Sequence, residues 1–171
     1  VALERKFTPP ETDFDTVDEI STRQYVNVDV RDAELCPAYF MQAAEVKIEP
    51  SPLWMRRRLH AAGLRGINNI VDVTNYVLLE VGQPMHAFDY KEISDKTIVV
   101  RRARKGETII PLNEKEYELD ENILVIADKS RPVGLAGVMG GLNSGIKPDT
   151  STVLLEAAEF NRENIRRTSR R

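Results

Sequence analysis

The sequence predicts an α+β domain, with a mixed, largely antiparallel sheet flanked by helices. Three observations carry this reading. The chain has 171 residues, enough for one domain that removes roughly 70% of its unfolded surface from water. Two helix-length segments with start and stop signals fall together between Ser51 and Gly82. Short β-patterned runs then dominate from Pro84 onward, and helices gathered in one place with strands mostly after them point to α+β.

The elements follow in order. Residues 1–22 are polar and acidic, carry adjacent Pro9 and Pro10 and show no sustained period, so they read as a linker or arm ahead of a domain over 23–171. Residues 25–30 (YVNVDV) put Val26, Val28 and Val30 on one face at period two, a strand pattern. Residues 36–49 begin with a turn and continue as a second strand. Ser51 and Pro52 then start a helix, serine accepting from free N–H groups and proline filling a position with no donor to orphan. Leu53, Trp54, Leu59 and Ala62 form its apolar side, with Trp54 read as core packing, and Gly63 ends it. Arg56, Arg57 and Arg58 take the other side.

A second helix is expected over 71–81, with Val73, Val77, Leu78 and Val81 spaced for burial and Gly82 as its stop. Short strands joined by turn-prone residues are expected at 97–102, 107–112, 116–119 and 122–127, a meander. Residues 131–142 (RPVGLAGVMGGL) hold glycine at 134, 137, 140 and 141, which means close backbone approach or strained turns. Residues 152–160 (TVLLEAAEF) form the last strand, apolar except for Glu156 and Glu159. Asn161 caps a final arginine-rich helix, with Phe160 and Ile165 placed as a hydrophobic staple.

Composition excludes several classes. One cysteine, Cys36, rules out an internal disulfide, and with only His60 and His86 no structural zinc set exists. A reducing, cytoplasmic setting is the default, and no apolar run reaches the roughly 18 residues of a membrane span. Cys36 and His60 read as structural. The chain opens at Val1 without a signal peptide, as an excised piece of a longer protein would. A net charge of −3 argues against a protein that coats nucleic acid. Three local basic clusters, at 56–58, 101–105 and 162–171, suit either docking of one anionic ligand or solvated faces of snorkelling arginines.

Chemistry concentrates in residues 66–89, GINNIVDVTNYVLLEVGQPMHAFD. Asn68, Asn69, Asp72, Thr74 and Asn75 crowd its start, and a Gly-Gln-Pro-Met turn presents His86 at its end. Such residues suit a polar pocket. They also have plainer readings: Thr74 and Asn75 as helix caps, His86 as a structural hydrogen-bonder, Glu156 as half of a buried pair with an arginine such as Arg101, and the glycines as turns.

This run, with GLAGVMGG and VLLEAAEF after it, resembles the editing domain of the β subunit of bacterial phenylalanyl-tRNA synthetases over residues 26–171. The resemblance implies a hydrolase that cleaves the ester of tyrosine misattached to tRNA(Phe). A phenylalanine pocket refuses an analogue that adds a hydroxyl by only ~10²-fold, whereas a site built to bond that hydroxyl discriminates by ~10⁴-fold or more. Glu156 is then the reader of the tyrosine hydroxyl. His86, Thr74 and Asn75 match family positions lining the same pocket, with His86 orienting water or the terminal adenosine. Gly137 and Gly140 leave room for the aminoacyl group, with nearby N–H groups for an oxyanion. Arg56, Arg57, Arg166 and Arg167 are candidate RNA contacts. The implied partners are the tRNA(Phe) acceptor end and the synthetase α subunit of an α₂β₂ enzyme. No cofactor is expected here, ATP and Mg²⁺ belonging to the intact synthetase. The family's threonine- and alanine-bearing wall segment would follow Arg171, leaving the pocket open on one side. The alternative function is a non-catalytic tRNA-docking or structural module.

Overall fold

A computed structural model describes residues 8, 9, 11, 13 and 21–170, so most of the expected N-terminal arm lies outside the described residues. Thr22, assigned to that arm, opens a short helix, α1 (Thr22–Tyr25), and strand β1 (Asn27–Val30) starts only after it. Strand β2 (Ala38–Glu45), helices α2 (Leu53–Ala61) and α3 (Asn69–Val81), and strand β3 (Met85–Asp89) follow. Then come β4 (Thr97–Arg102), β5 (Thr108–Ile109), β6 (Tyr117–Glu118), β7 (Leu124–Ala127), β8 (Pro132–Leu135), β9 (Met139–Gly140), β10 (Thr152–Glu159) and α4 (Arg162–Thr168).

The class is α+β as expected, but the strands divide among several sheets. One sheet runs β1-β4-β7-β8-β9, a second runs β2-β10-β3, and β5-β6 form a separate hairpin. All pairings are antiparallel except that of β1 with β4. The main core lies where the two larger sheets meet, joining Ile98, Val100, Leu124, Ile126 and Val133 of the first to Phe88 and Leu154 of the second. The alternate residues Val125 and Ala127 pack instead with Ile109 and Leu119 around the hairpin. That explains the unbroken apolar run at 122–127: β7 is covered on both faces.

Both helix ends obey local rules only in part. Asn68 caps α3, its side chain accepting from the N–H groups of Ile70 and Val71, and Gly82 closes it in the left-handed region. Ser51 does not cap α2; its hydroxyl donates to the buried carboxylate of Asp72 at 2.5 Å instead. Asp72 also accepts from the Ile67 N–H at 2.8 Å, so one acid ties the segment ahead of α2 to the loop leading into α3.

The expected apolar faces are buried only in part, Leu59 being the member that is. In α2, Met55 and Leu59 are buried while Leu53 and Trp54 are exposed, and Trp54 packs edge-on against Tyr76 beneath Arg58. In α3, Asp72 and Thr74 are buried, whereas Val73, Leu78 and Val81 are exposed. Helical spacing fixes which residues share a side, but the polar network of Asp72 decides which side turns inward. Two strands also escape the sequence patterns. β3 takes the place of the expected turn around His86, and β8 and β9 arise within the glycine-rich run. Among the described residues, no helix is long and apolar enough to cross a membrane.

Candidate functional site

Strand β10 is the middle of its sheet, paired along eight positions with β2 and five with β3. Its register sets Glu156 directly between Met41 of β2 and His86 of β3. The side chain of Glu156 is 7% exposed, and its Oε2 accepts a 2.6 Å hydrogen bond from the Tyr39 hydroxyl. Burial pushes the carboxyl up to about 7, against the opposing pull of the Tyr39 hydrogen bond. Arg101 is not its partner: that guanidinium forms a two-pronged bond with Glu107 at 2.7 and 2.8 Å. The buried-arginine reading of Glu156 therefore fails.

His86 shares the Glu156 side of the sheet. Its ring stands edge-on to Phe88 with centroids 4.4 Å apart, and its Nε2 is enclosed without a hydrogen-bond partner. Burial lowers the imidazole to about 4, so it is neutral at physiological pH. The usual order of the two groups is inverted, the acid titrating above the imidazole. A neutral imidazole with so low a value is a poor proton acceptor but a good hydrogen-bonding post for a water or a ribose hydroxyl.

These residues open on a cleft of about 760 Å³ between β3 and β10 on one side and β8 and β9 on the other, the size of a small-molecule site. Apolar groups including Phe88, Met139 and Phe160 line it, with Glu156 and His86 among the polar members. Gly140 faces the histidine: a Cβ there would lie 2.3 Å from His86 Cε1. Gly137 sits in the β8–β9 turn at φ +63°, and a Cβ there would press on Ile165 and Phe160 at 3.1 Å. The expected oxyanion donors are partly engaged, since the N–H groups of Ala136, Val138 and Gly141 bond the carbonyls of Leu124, Leu135 and Val133.

The structure thus brings together Glu156, His86, Gly137 and Gly140. Thr74 and Asn75 are not among the residues lining the cleft; the Thr74 hydroxyl donates to the Val71 carbonyl within α3. Arg166 lines the cleft from α4, as does Arg162, a member of the C-terminal basic cluster that was not among the candidate RNA contacts. Arg167 is exposed on the same helix, and Arg56 and Arg57 are exposed on α2, none of them at the cleft. Cys36 is buried, its thiol pushed up to about 11 by burial and by the charge of Glu156, and His60 is exposed. Tyr39 was missed. Strand alternation places it on the Met41 side of β2, but only the β2–β10 register brings it to Glu156. No group of three or more His, Cys, Asp or Glu residues able to hold a metal occurs among the described residues.

Comparison with known proteins bears on this cleft. Residues 35–171 match the model of the B3/4 domain. The chain belongs to the B3/4 domain family. Among curated relatives, phenylalanine–tRNA ligase β subunits are 52% identical over 145 residues in Syntrophus aciditrophicus and 54% over 144 residues in Geobacillus kaustophilus, each alignment covering 84% of this chain and 18% of the relative. The Clostridium tetani β subunit is 44% identical over 167 residues, 97% of this chain and 21% of its own length. This B3/4 domain therefore spans about a fifth of the length of the relatives it matches. An N-terminal fragment of the phenylalanyl-tRNA synthetase β-subunit from Pyrococcus horikoshii shares the fold, with a TM-score of 0.55 at 14% identity over 96% of this chain and 50% of that one.

Proposed function

We propose that this B3/4 domain is the post-transfer editing module of a phenylalanine–tRNA ligase β subunit, hydrolysing tyrosyl-tRNA(Phe) by reading the tyrosine hydroxyl. One observation carries the reading. The carboxylate of Glu156, buried at the wall of a largely apolar cleft and in no ion pair among the described residues, already accepts a phenol hydrogen bond at 2.6 Å, from Tyr39. The same carboxylate offers its other oxygen to a second phenol. Above about pH 7 Glu156 is ionised and acts purely as an acceptor, and a phenylalanyl ester leaves that acceptor unmatched.

The aminoacyl ring enters between Phe88, Phe160 and the glycine-bearing turn of β8 and β9, where the bare Cα of Gly140 lets the His86 imidazole pack against β9. Hydrolysis adds a water oxygen to the ester carbonyl carbon, breaks the bond to the ribose oxygen and returns the proton to that oxygen. The unpartnered Nε2 of His86 holds the water or the terminal ribose. Positioning supplies most of the acceleration, because the imidazole is too weakly basic to drive proton removal. Arg162 and Arg166 at the cleft are suited to the terminal phosphates of the acceptor end, with the α subunit as the wider partner. ATP and Mg²⁺ chemistry belongs to other parts of the whole enzyme.

The test is deacylation of preformed tyrosyl-tRNA(Phe) and phenylalanyl-tRNA(Phe) by this protein and by Glu156→Ala. Fast release of tyrosine alone, lost in the variant, is expected. If neither ester is cleaved faster than in buffer, or if the variant cleaves tyrosyl-tRNA(Phe) as well as the parent, the editing reading fails and a non-catalytic tRNA-docking module takes its place.

A further inference from the structure

The pair formed by Tyr39 and Glu156 is incomplete in a telling way. A buried carboxylate kept only for structure is ordinarily matched by a cation or by several donors. Here, among the described residues, Tyr39 is the one donor, and it reaches only Oε2. The buried arginine Arg101 of β4 is committed to Glu107. Oε1 is left without a hydrogen bond on a residue that lines the cleft.

Tyr39 itself is well fixed. Ala158 is its cross-strand partner and Met41 follows it on the same side of β2, so it stands on the face that carries Glu156. Its hydroxyl is held well above the usual tyrosine range, by burial first and then by the neighbouring carboxylate, so it remains a donor throughout the physiological range. A donor that never ionises and bonds one carboxylate oxygen at 2.6 Å stops rotation of the carboxylate plane. It thereby sets the direction of the lone pairs on the other oxygen.

We propose that Tyr39 is a specificity-determining positioning residue: its phenol locks Glu156 so that Oε1 faces the cleft and meets the hydroxyl of a para-hydroxyphenyl group bound there. This rests on the editing reading above and assigns to it a residue on a separate strand. Tyr39 acts through Glu156 and does not touch the reacting ester. The other titratable or charged groups near the carboxylate are Cys36 ahead of β2, His86 on β3, and Arg162 and Arg166 on α4 at the cleft.

The test is Tyr39→Phe, which keeps ring volume and removes the donor. Two readouts are taken: KM and kcat for tyrosyl- and phenylalanyl-tRNA(Phe), and affinity for non-hydrolysable amide-linked tyrosyl- and phenylalanyl-adenosine. A lost hydrogen bond to an ionised group predicts a fall of about tenfold or more in tyrosine-over-phenylalanine discrimination, carried by KM for the tyrosyl ester. The profile of tyrosyl binding against pH also moves to higher pH, since Tyr39 no longer opposes the effect of burial on Glu156. An unchanged discrimination ratio overturns the proposal, as does equal weakening of both analogues, the mark of a merely structural residue. If the unaltered protein hydrolyses neither ester, the editing reading falls while the analogue ratio still decides the role of Tyr39. Equal affinity of the unaltered protein for both analogues overturns the proposal as well.

Discussion

Replacing Gly140 with alanine is the sharpest probe of the cleft, because the structure fixes what the added methyl meets. Its Cβ would lie 2.3 Å from His86 Cε1 and 2.7 Å from Nε2. Carbon atoms rest at roughly 3.5–4.0 Å, so the overlap is roughly 1.2 Å or more. The imidazole cannot simply swing away, since Phe88 stands against it at 4.4 Å and the β3–β10 register holds its backbone opposite Glu156. Overpacking of this kind costs about 1–3 kcal/mol, and a reacting group displaced by about 1 Å loses about 10²-fold in rate. Denaturant unfolding of the parent, Gly140→Ala, His86→Ala and the double variant isolates the cause, with tyrosyl-tRNA(Phe) deacylation measured on the parent and Gly140→Ala. With the ring removed, the extra methyl should cost little, giving a coupling of about 1–2 kcal/mol. Additivity within about 0.5 kcal/mol would refute the argument, because the penalty would then arise from the backbone of β9 and not from the histidine.

Two further outcomes follow from the same cleft. In the folded protein Glu156 holds its proton to about pH 7 against an ordinary 4.5, so its burial costs nothing below pH 4.5 and costs progressively more as pH rises to 7, reaching about 3 kcal/mol. Glu156→Gln cannot ionise yet still accepts from Tyr39, so its stability relative to the parent should widen by up to that amount between pH 4.5 and 7.5. His86, lowered to about 4, weakens both proteins as pH falls below 6.5 and cancels in the difference; a difference in denaturant stability that stays flat with pH would contradict the burial of the acid. Gly137→Ala combines a φ of +63° with contacts of 3.1 Å to Phe160 and Ile165, and thermal unfolding should register a loss of about 1–3 kcal/mol, whereas a loss below about 0.5 kcal/mol would mean the turn relaxes freely.

The legible part of the protein is the part governed by neighbours in sequence. Gly82 closes α3 where a left-handed residue is expected, while the Asn68 cap starts the helix two residues ahead of the expected 71. Asn161 opens α4 as its expected cap, and the Thr97–Arg102 and Thr152–Glu159 strands follow from their β-branched and aliphatic runs. Glu156 stood out because a carboxylate in an apolar strand demands a reason. Where the sequence misled, the deciding contact was distant. Met85–Asp89 became a strand because β10 offered it an edge, not because its residues alternate. On α2, Leu59 is buried as expected, but Leu53 and Trp54 gave up their place in the core to Met55.

Sequence alone therefore determined the class of the fold and the ends of α2, α3 and α4 to within about two residues, since capping, turn and alternation rules act over a few positions. Only tertiary structure decided what those residues do to one another. Strand register sets His86 opposite Glu156 and carries Tyr39 across 117 positions to its carboxylate. Burial there raises the acid, lowers the imidazole and sets Glu156 in the wall of the cleft. Desolvation and pairing depend on what packs around a group from every direction, and that information is distributed over the whole chain.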